Sequence, residues 1–176
     1  MRDNPRRMQA GFTLLELLVV LLILGILVSL AVIGASGKGR VLEQEARRIQ
    51  ALVELARDEA LLTAETRALG FTRAGYAFLH QVLVADATLE WRPIEQDPQW
   101  RARRLEDLEI ELELEIDGRQ QGLVSAESVP APQVFFQGSG QMTAFRLQLL
   151  SVDAGEGGFL LSAAADGRLR LEPLPR

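Results

Sequence analysis

An α+β fold is predicted for these 176 residues: one long amino-terminal helix, apolar in its first half and amphipathic in its second, followed by a domain of antiparallel β-sheet. Three observations lead there. Nineteen apolar or small residues run from Leu17 to Ala35, with Ser29 the one hydroxyl among them. A helical period resumes from Arg40. Beyond Leu69 the apolar period falls from 3.6 to two, the repeat of a strand with one buried face.

Composition narrows the function classes. A chain 48% apolar and 24% charged has room for one modest domain once a terminal membrane segment is set aside. With no cysteine it has no disulfide framework, no thiolate zinc site and no cysteine nucleophile. The net charge of −5 argues against a nucleic-acid surface, which draws its affinity from clustered Lys and Arg. Arg2, Arg6 and Arg7 against Asp3 give +2 ahead of the apolar run, whereas residues 36–176 hold 16 basic and 22 acidic side chains. The body of the chain is therefore an acidic domain.

As a helix, Leu17 to Ala35 would be about 28 Å long, close to the thickness of a bilayer's hydrocarbon core. Three readings fit the run: a single span, a secretory signal cut after Ala31 at the small-x-small site Ser29-Leu30-Ala31, or an uncut signal anchor. Charge does not choose between orientations, because Lys38, Arg40, Arg47 and Arg48 on one side balance the three arginines and the amino terminus on the other.

Glu16, at the mouth of the run, separates the readings. A carboxylate at the centre of a membrane helix costs on the order of 2.5 to 3.5 kcal/mol, less near an end, and neither the signal nor the anchor needs one. A carboxylate snorkelling to the headgroups is the alternative on position alone. The surrounding letters, Gly11-Phe12-Thr13-Leu14-Leu15-Glu16, resemble the processing motif of the type IV pilin and type II secretion pseudopilin superfamily. The resemblance implies that a prepilin peptidase cuts between Gly11 and Phe12, that the new amino terminus on Phe12 is methylated, and that Glu16 becomes the fifth mature residue. Cleavage would leave a positive amine at the end of an apolar helix, where a charge without a counterion is expensive. Neighbouring helices offset by about four residues, roughly 6 Å, would bring that amine to the next Glu16. Head-to-tail pairing of this kind propagates into an open filament. The carboxylate thus reads as an assembly register. The leader, residues 1–11, is longer than the short basic leaders of the family, and a start at Met8 would remove all its arginines.

The expected elements follow in order. Residues 12–35 form the transmembrane and assembly helix. Ser36-Gly37-Lys38-Gly39 should soften or kink it. Residues 36–68 carry an amphipathic helix to about Thr66, with Leu42, Ala46, Ile49, Val53, Ala56 and Ala60 on one stripe and Glu43, Arg47, Glu54 and Arg57 off it. Residues 69–176 are the β domain. Gly70 to Leu79 reads as a hairpin turning near Arg73 to Gly75, Thr88 to Arg92 as a further strand, and the stretch around Pro93, Pro98 and Trp100 as loop. Leu108 to Ile116 alternates strictly up to the turn pair Asp117-Gly118, with one face for the core and four glutamates on the other. Carboxylates two apart along a strand do not converge on a metal ion; they read as a solvated face that resists edge aggregation, with a basic partner surface as the alternative. Gly122 to Gln133 reads as an exposed loop. The remainder reads as antiparallel hairpins: Val134 to Phe136, a turn at Gly138-Ser139-Gly140, Phe145 to Leu149, a turn at Gly155 to Gly158, Phe159 to Leu161, a turn at Asp166-Gly167, and Arg168 to Leu171. The glycines flanking Ser139 are no phosphate cradle, since neither a lysine nor a helix start follows.

The closing segment, through Phe136, Gly140, Thr143, Leu147, Leu149 and Gly167 in order, resembles the carboxy-terminal domain of the H-type minor pseudopilins of type II secretion. That resemblance implies a pilin-like fold with its domain in the periplasm of a bacterium and its helix in the inner membrane before assembly. It further implies a low-copy subunit near the tip of a pseudopilus, between other minor pseudopilins and the major pseudopilin, that helps export folded proteins. The implied partners are the prepilin peptidase, the other pseudopilins, the inner-membrane assembly platform and the lipid bilayer; no nucleic acid and no cofactor is implied. A minor pilin of a type IV pilus shares the motif, and Arg168, Arg170 and Arg176 form a small basic end. An uncut, tethered binding domain would need a ligand site that the sequence does not offer. Enzymatic residues are not evident: His80, the one histidine, sits in a strand-like run, and no serine or aspartate has a nucleophile-elbow context.

Overall fold

The computed structural model describes residues 14–125, 130–152 and 157–175, and of residues 27–38 and 86 the backbone alone. The leader, Gly11 and Phe12, much of the Gly155 to Gly158 turn, and Arg176 lie outside the described residues. The chain divides into two compact units, Met1–Gly37 and Lys38–Arg176.

One helix, α1 (Leu14–Thr63), runs through both units. In the first unit the side chains from Leu14 to Ile26 are all exposed, Leu14 at 79% and Leu22 at 63%. A helix apolar all round needs a cover from other helices or lipid. The backbone stays helical across Ser36 to Gly39, so the expected softening does not interrupt the helix. Glycine costs a helix interior only about 1 kcal/mol relative to alanine, and strong helix formers follow from Arg40.

In the second unit, all six expected stripe residues are buried. The helix stops at Thr63, three residues before the expected end. Ala64 turns left-handed at φ 57°, and the Thr63 hydroxyl donates back to the Glu59 carbonyl at 2.9 Å.

Two antiparallel sheets meet the stripe. The first has the order β3-β2-β1-β7, with β4 beside β2, where β1 is Arg67–Thr72, β2 Gly75–Leu83, β3 Leu89–Pro93, β4 Arg103–Arg104 and β7 Val134–Phe136. The second has the order β10-β9-β8-β5-β6, with β5 Ile110–Ile116, β6 Arg119–Gln121, β8 Phe145–Ser151, β9 Gly158–Ala163 and β10 Leu169–Leu174. Leu69, Phe71, Phe78 and Phe136 from the first sheet and Leu112, Leu114, Leu147 and Leu161 from the second join the helix stripe in one continuous core.

The hairpin at Arg73 and the Asp117-Gly118 turn stand where expected. Asp117 and Gly118 both have positive φ, 51° and 74°, the geometry of the two-residue turn that matches strand twist. Not every expectation holds. The alternating run does not begin its strand at Leu108: Glu106–Leu108 is a 3-10 turn and Glu109 is left-handed at φ 55°, because the amides of Leu108 and Ile110 both donate to the Leu105 carbonyl. Val134 to Phe136 does turn back at Gly138-Ser139-Gly140, Phe136 bridging Met142, but as a strand it pairs with β1 in the first sheet, and β8 lies in the second. The described residues of the 122–133 segment form a loop with none of them buried, as expected, yet they also bind the first sheet. Val124 bridges Thr72, and Gln133 holds β1 from the side, its Oε1 accepting the Phe71 amide at 2.7 Å and its amide donating to Leu69. A side chain at Gly70 would meet Pro130 and Ala131, so these two residues cover β1 at that point. Pro93, expected in the loop, ends β3, while Trp100 does lie in that loop and is buried against Phe78 with ring centroids 4.9 Å apart.

Candidate assembly site

Glu16 lies in the first turn of α1 and is exposed. A carboxylate there is favoured by the helix dipole. Its exposed apolar neighbours extend to the last described side chain of the run, Ile26. Among the described residues no helix is long and apolar enough to cross a membrane, and residues 27–35 of the run lie outside the described side chains.

Among the described residues of the second unit, polar contacts tie the helix to the sheets and their turns at points that periodicity alone did not single out. Glu45, on the buried stripe one step before Ala46, is 4% exposed. It accepts the Tyr76 hydroxyl at 3.0 Å and a two-pronged contact from Arg103, both prongs at 3.3 Å. Its sequence signal was its place in the helical repeat, between Leu42 and Ile49. Glu59 pairs with Arg67 at 2.7 Å. Arg57 donates to the Gly140 carbonyl at 3.4 Å and fills the space a side chain at Gly167 would need.

Burial raises the Tyr76 hydroxyl well above the ordinary tyrosine range, and the charge and hydrogen bond of Glu45 add to the effect. Above a pH of about 10 the unfolded chain ionises this phenol while the folded domain keeps its proton. The unfolded state then binds fewer protons, so stability is complete below that pH and falls as pH rises through the folded value. The expected slope is about 1.4 kcal/mol per pH unit. Denaturant titrations between neutral pH and strong alkali should show this fall in the parent and a flatter profile in Tyr76→Phe.

Other candidates dissolve into ordinary structure. His80 is half-buried in β2, opposite Arg67 and Arg92, beside an open cleft of about 850 Å³ whose walls include Arg92, Glu95 and Asp97. Glu111 and Glu113 stand exposed on the second sheet, and Glu115 meets Arg146 at 3.5 Å. Among the described residues no three acidic or histidine side chains are placed to hold a metal ion. In the basic end, Arg168 pairs with Asp166 at 2.7 Å and Arg170 with Glu172 at 3.6 Å. The Arg168 amide, followed by its guanidinium, holds the Asp166 carboxyl below the usual carboxylate range.

The closing residues converge. Phe136, Leu147 and Leu149 are fully buried, and the Thr143 hydroxyl accepts the Phe135 amide at 3.0 Å. Gly140 and Gly167 have φ of 83° and 85° and flank Arg57. Together they hold two turns against the end of α1.

An exposed apolar helix that continues into a helix fastened to two antiparallel sheets defines a pilin-like subunit. Residues 6–32 match the prokaryotic N-terminal methylation motif, and residues 45–168 match the family described as type II transport protein GspH. Type II secretion system protein H of Pseudomonas aeruginosa is 33% identical over 175 residues, covering 92% of this chain and 93% of that protein. The protein of the same name from Aeromonas hydrophila is 29% identical, with 94% of each chain covered. In fold, the crystal structure of the minor pseudopilin EpsH of Vibrio cholerae superposes with a TM-score of 0.60 at 24% identity, covering 77% of this chain and 95% of that one. The chain belongs to the GspH family, the H-type minor pseudopilins of type II secretion.

Proposed function

We propose that this chain is made with a leader that a prepilin peptidase removes between Gly11 and Phe12, that Phe12 is then methylated, and that residues 12–35 hold it in the inner membrane until it enters a pseudopilus. Its domain faces the periplasm. In the filament it sits near the tip with other minor pseudopilins above the major one, where it helps drive folded proteins outward. Glu16 is the register group: its carboxylate meets the methylated amine of a neighbouring helix and replaces water with a counterion. One observation carries this reading, the motif Gly11 to Glu16 directly at the head of a helix whose described apolar side chains are exposed. Such a surface calls for lipid first and partner helices afterwards.

The mass and amino-terminal sequence of the protein recovered from its native membrane test the processing. A chain beginning at Phe12 and heavier by one methyl group is expected. A start at Val32 would mean an ordinary secreted domain and a start at Met1 an uncut anchor, and either would end the assembly role. Gly11→Arg should leave the leader uncut, seen as a heavier band on a gel, because a long charged side chain blocks close approach of a protease to the backbone.

A further inference from the structure

The apolar stripe of α1 in the second unit does not by itself say where along the sheets the helix must lie. Leu42, Ala46, Ile49, Val53, Ala56 and Ala60 recur at alternating steps of four and three, a seven-residue repeat. A slip of seven residues, about 10 Å, lays Ile49 where Leu42 was, Val53 where Ala46 was and Ala60 where Val53 was. In either direction four of the six stripe sites still receive a stripe residue. What such a slip cannot reproduce is Glu45, the one charged side chain in the buried set of the described residues.

We infer that Glu45, with Tyr76 on β2 and Arg103 on β4, is a register key that permits only one axial setting of α1 on the sheets. A slip in one direction presents Leu52 to the Tyr76 hydroxyl and the Arg103 guanidinium. The opposite slip carries the Glu45 carboxylate into the apolar site of Leu52, which is 8% exposed. Both leave a buried polar group without its partner, an outcome more costly than imperfect apolar packing. A single buried polar residue sets the register of a coiled coil by the same means. The geometry is specific: the carboxylate spends one oxygen on the phenol at 3.0 Å and shares both with the guanidinium at 3.3 Å. Gly75 keeps β4 within reach, since a side chain there would overlap the Arg103 carbonyl. Glu45 is thus a positioning residue, and this role is independent of what the filament does with the chain.

The test is a distance. The chain has no cysteine, so spin labels on Ala51→Cys in α1 and Glu113→Cys on β5, both exposed, report the helix setting in the full-length protein in detergent micelles. The parent and Glu45→Gln, which keeps hydrogen-bonding atoms at the same place, should each give one distance population. Glu45→Leu combined with Tyr76→Phe and Arg103→Met removes the key and leaves no orphaned group. It should remain folded, melt no lower than the parent, and show a second distance population. One unchanged population in that variant would overturn the inference, because packing alone would then be choosing the register. If the triple variant does not fold, the same distance is read in Glu45→Leu with Tyr76→Phe, where Arg103, whose side chain is 40% exposed, can turn to water. Loss of the fold in both, with Glu45→Gln intact, would equally overturn it by assigning the cluster to stability.

Discussion

Glu16→Ala is expected to be cut and methylated like the parent and to drop out of the filament. In the proposed processing the peptidase would act at Gly11, five residues away, whereas the neighbour's amine would need the carboxylate itself. If the pair offsets a cost of about 2.5 to 3.5 kcal/mol for a charge in an apolar phase, losing it lowers incorporation roughly a hundredfold. Glu16→Gln should fail almost as completely, since it keeps shape and hydrogen bonding but not charge, and Glu16→Asp should recover part of the loss. Co-purification of each processed variant with the other pseudopilins measures this. Normal incorporation of Glu16→Ala would end the register role and leave the carboxylate as a favourable first-turn residue of α1.

Phe78→Ala should come close to unfolding the domain. Its ring is 1% exposed and stands at the centre of the aromatic core, with centroids 6.2 Å from Tyr76, 4.9 Å from Trp100 and 6.4 Å from Phe136. Truncation removes the ring and opens a cavity that three rigid neighbours cannot close, a loss of about 3 to 5 kcal/mol. Against a total of about 5 to 15 kcal/mol for a domain, that is a fifth or more of the stability. Phe78→Leu retains most of the volume and should cost much less. Urea unfolding of the full-length proteins in detergent should show a lower midpoint at unchanged slope. A loss below about 1 kcal/mol would mean that the core rearranges around the gap.

The sequence made the helix stripe readable residue by residue, because a 3.6-residue period records one-sided burial directly. Leu42, Ala46, Ile49, Val53, Ala56 and Ala60 all proved buried. The hairpin at Arg73 and the turn at Asp117-Gly118 were readable for a related reason: two-residue turns depend on local backbone chemistry. Alternation misled at Leu108 and Glu109, where side chains keep the pattern of a strand while the backbone makes a 3-10 turn. It was also silent on partners. Val134 to Phe136 alternates equally well beside β8 or β1, and only its register against Leu69 to Arg67 places it in the first sheet.

The candidate site divides along the same line. Gly11, Phe12 and Glu16 could be named from the chain alone, since a processing motif is contiguous and its meaning lies in residue identity and spacing. Glu45, Tyr76 and Arg103 could not be assembled that way. They are separated by 31 and 58 positions from Glu45, and the buried carboxylate makes sense only when the phenol and guanidinium are folded against it. By itself the sequence determined which segments are apolar, which are helical or extended, and where the motif falls, because burial pattern and turn chemistry are local. Tertiary structure alone decided which strands are neighbours, that residues 130–133 lie against β1, and which setting of the helix completes the Glu45 cluster. Those depend on groups distant in the chain satisfying one another's hydrogen bonds away from water.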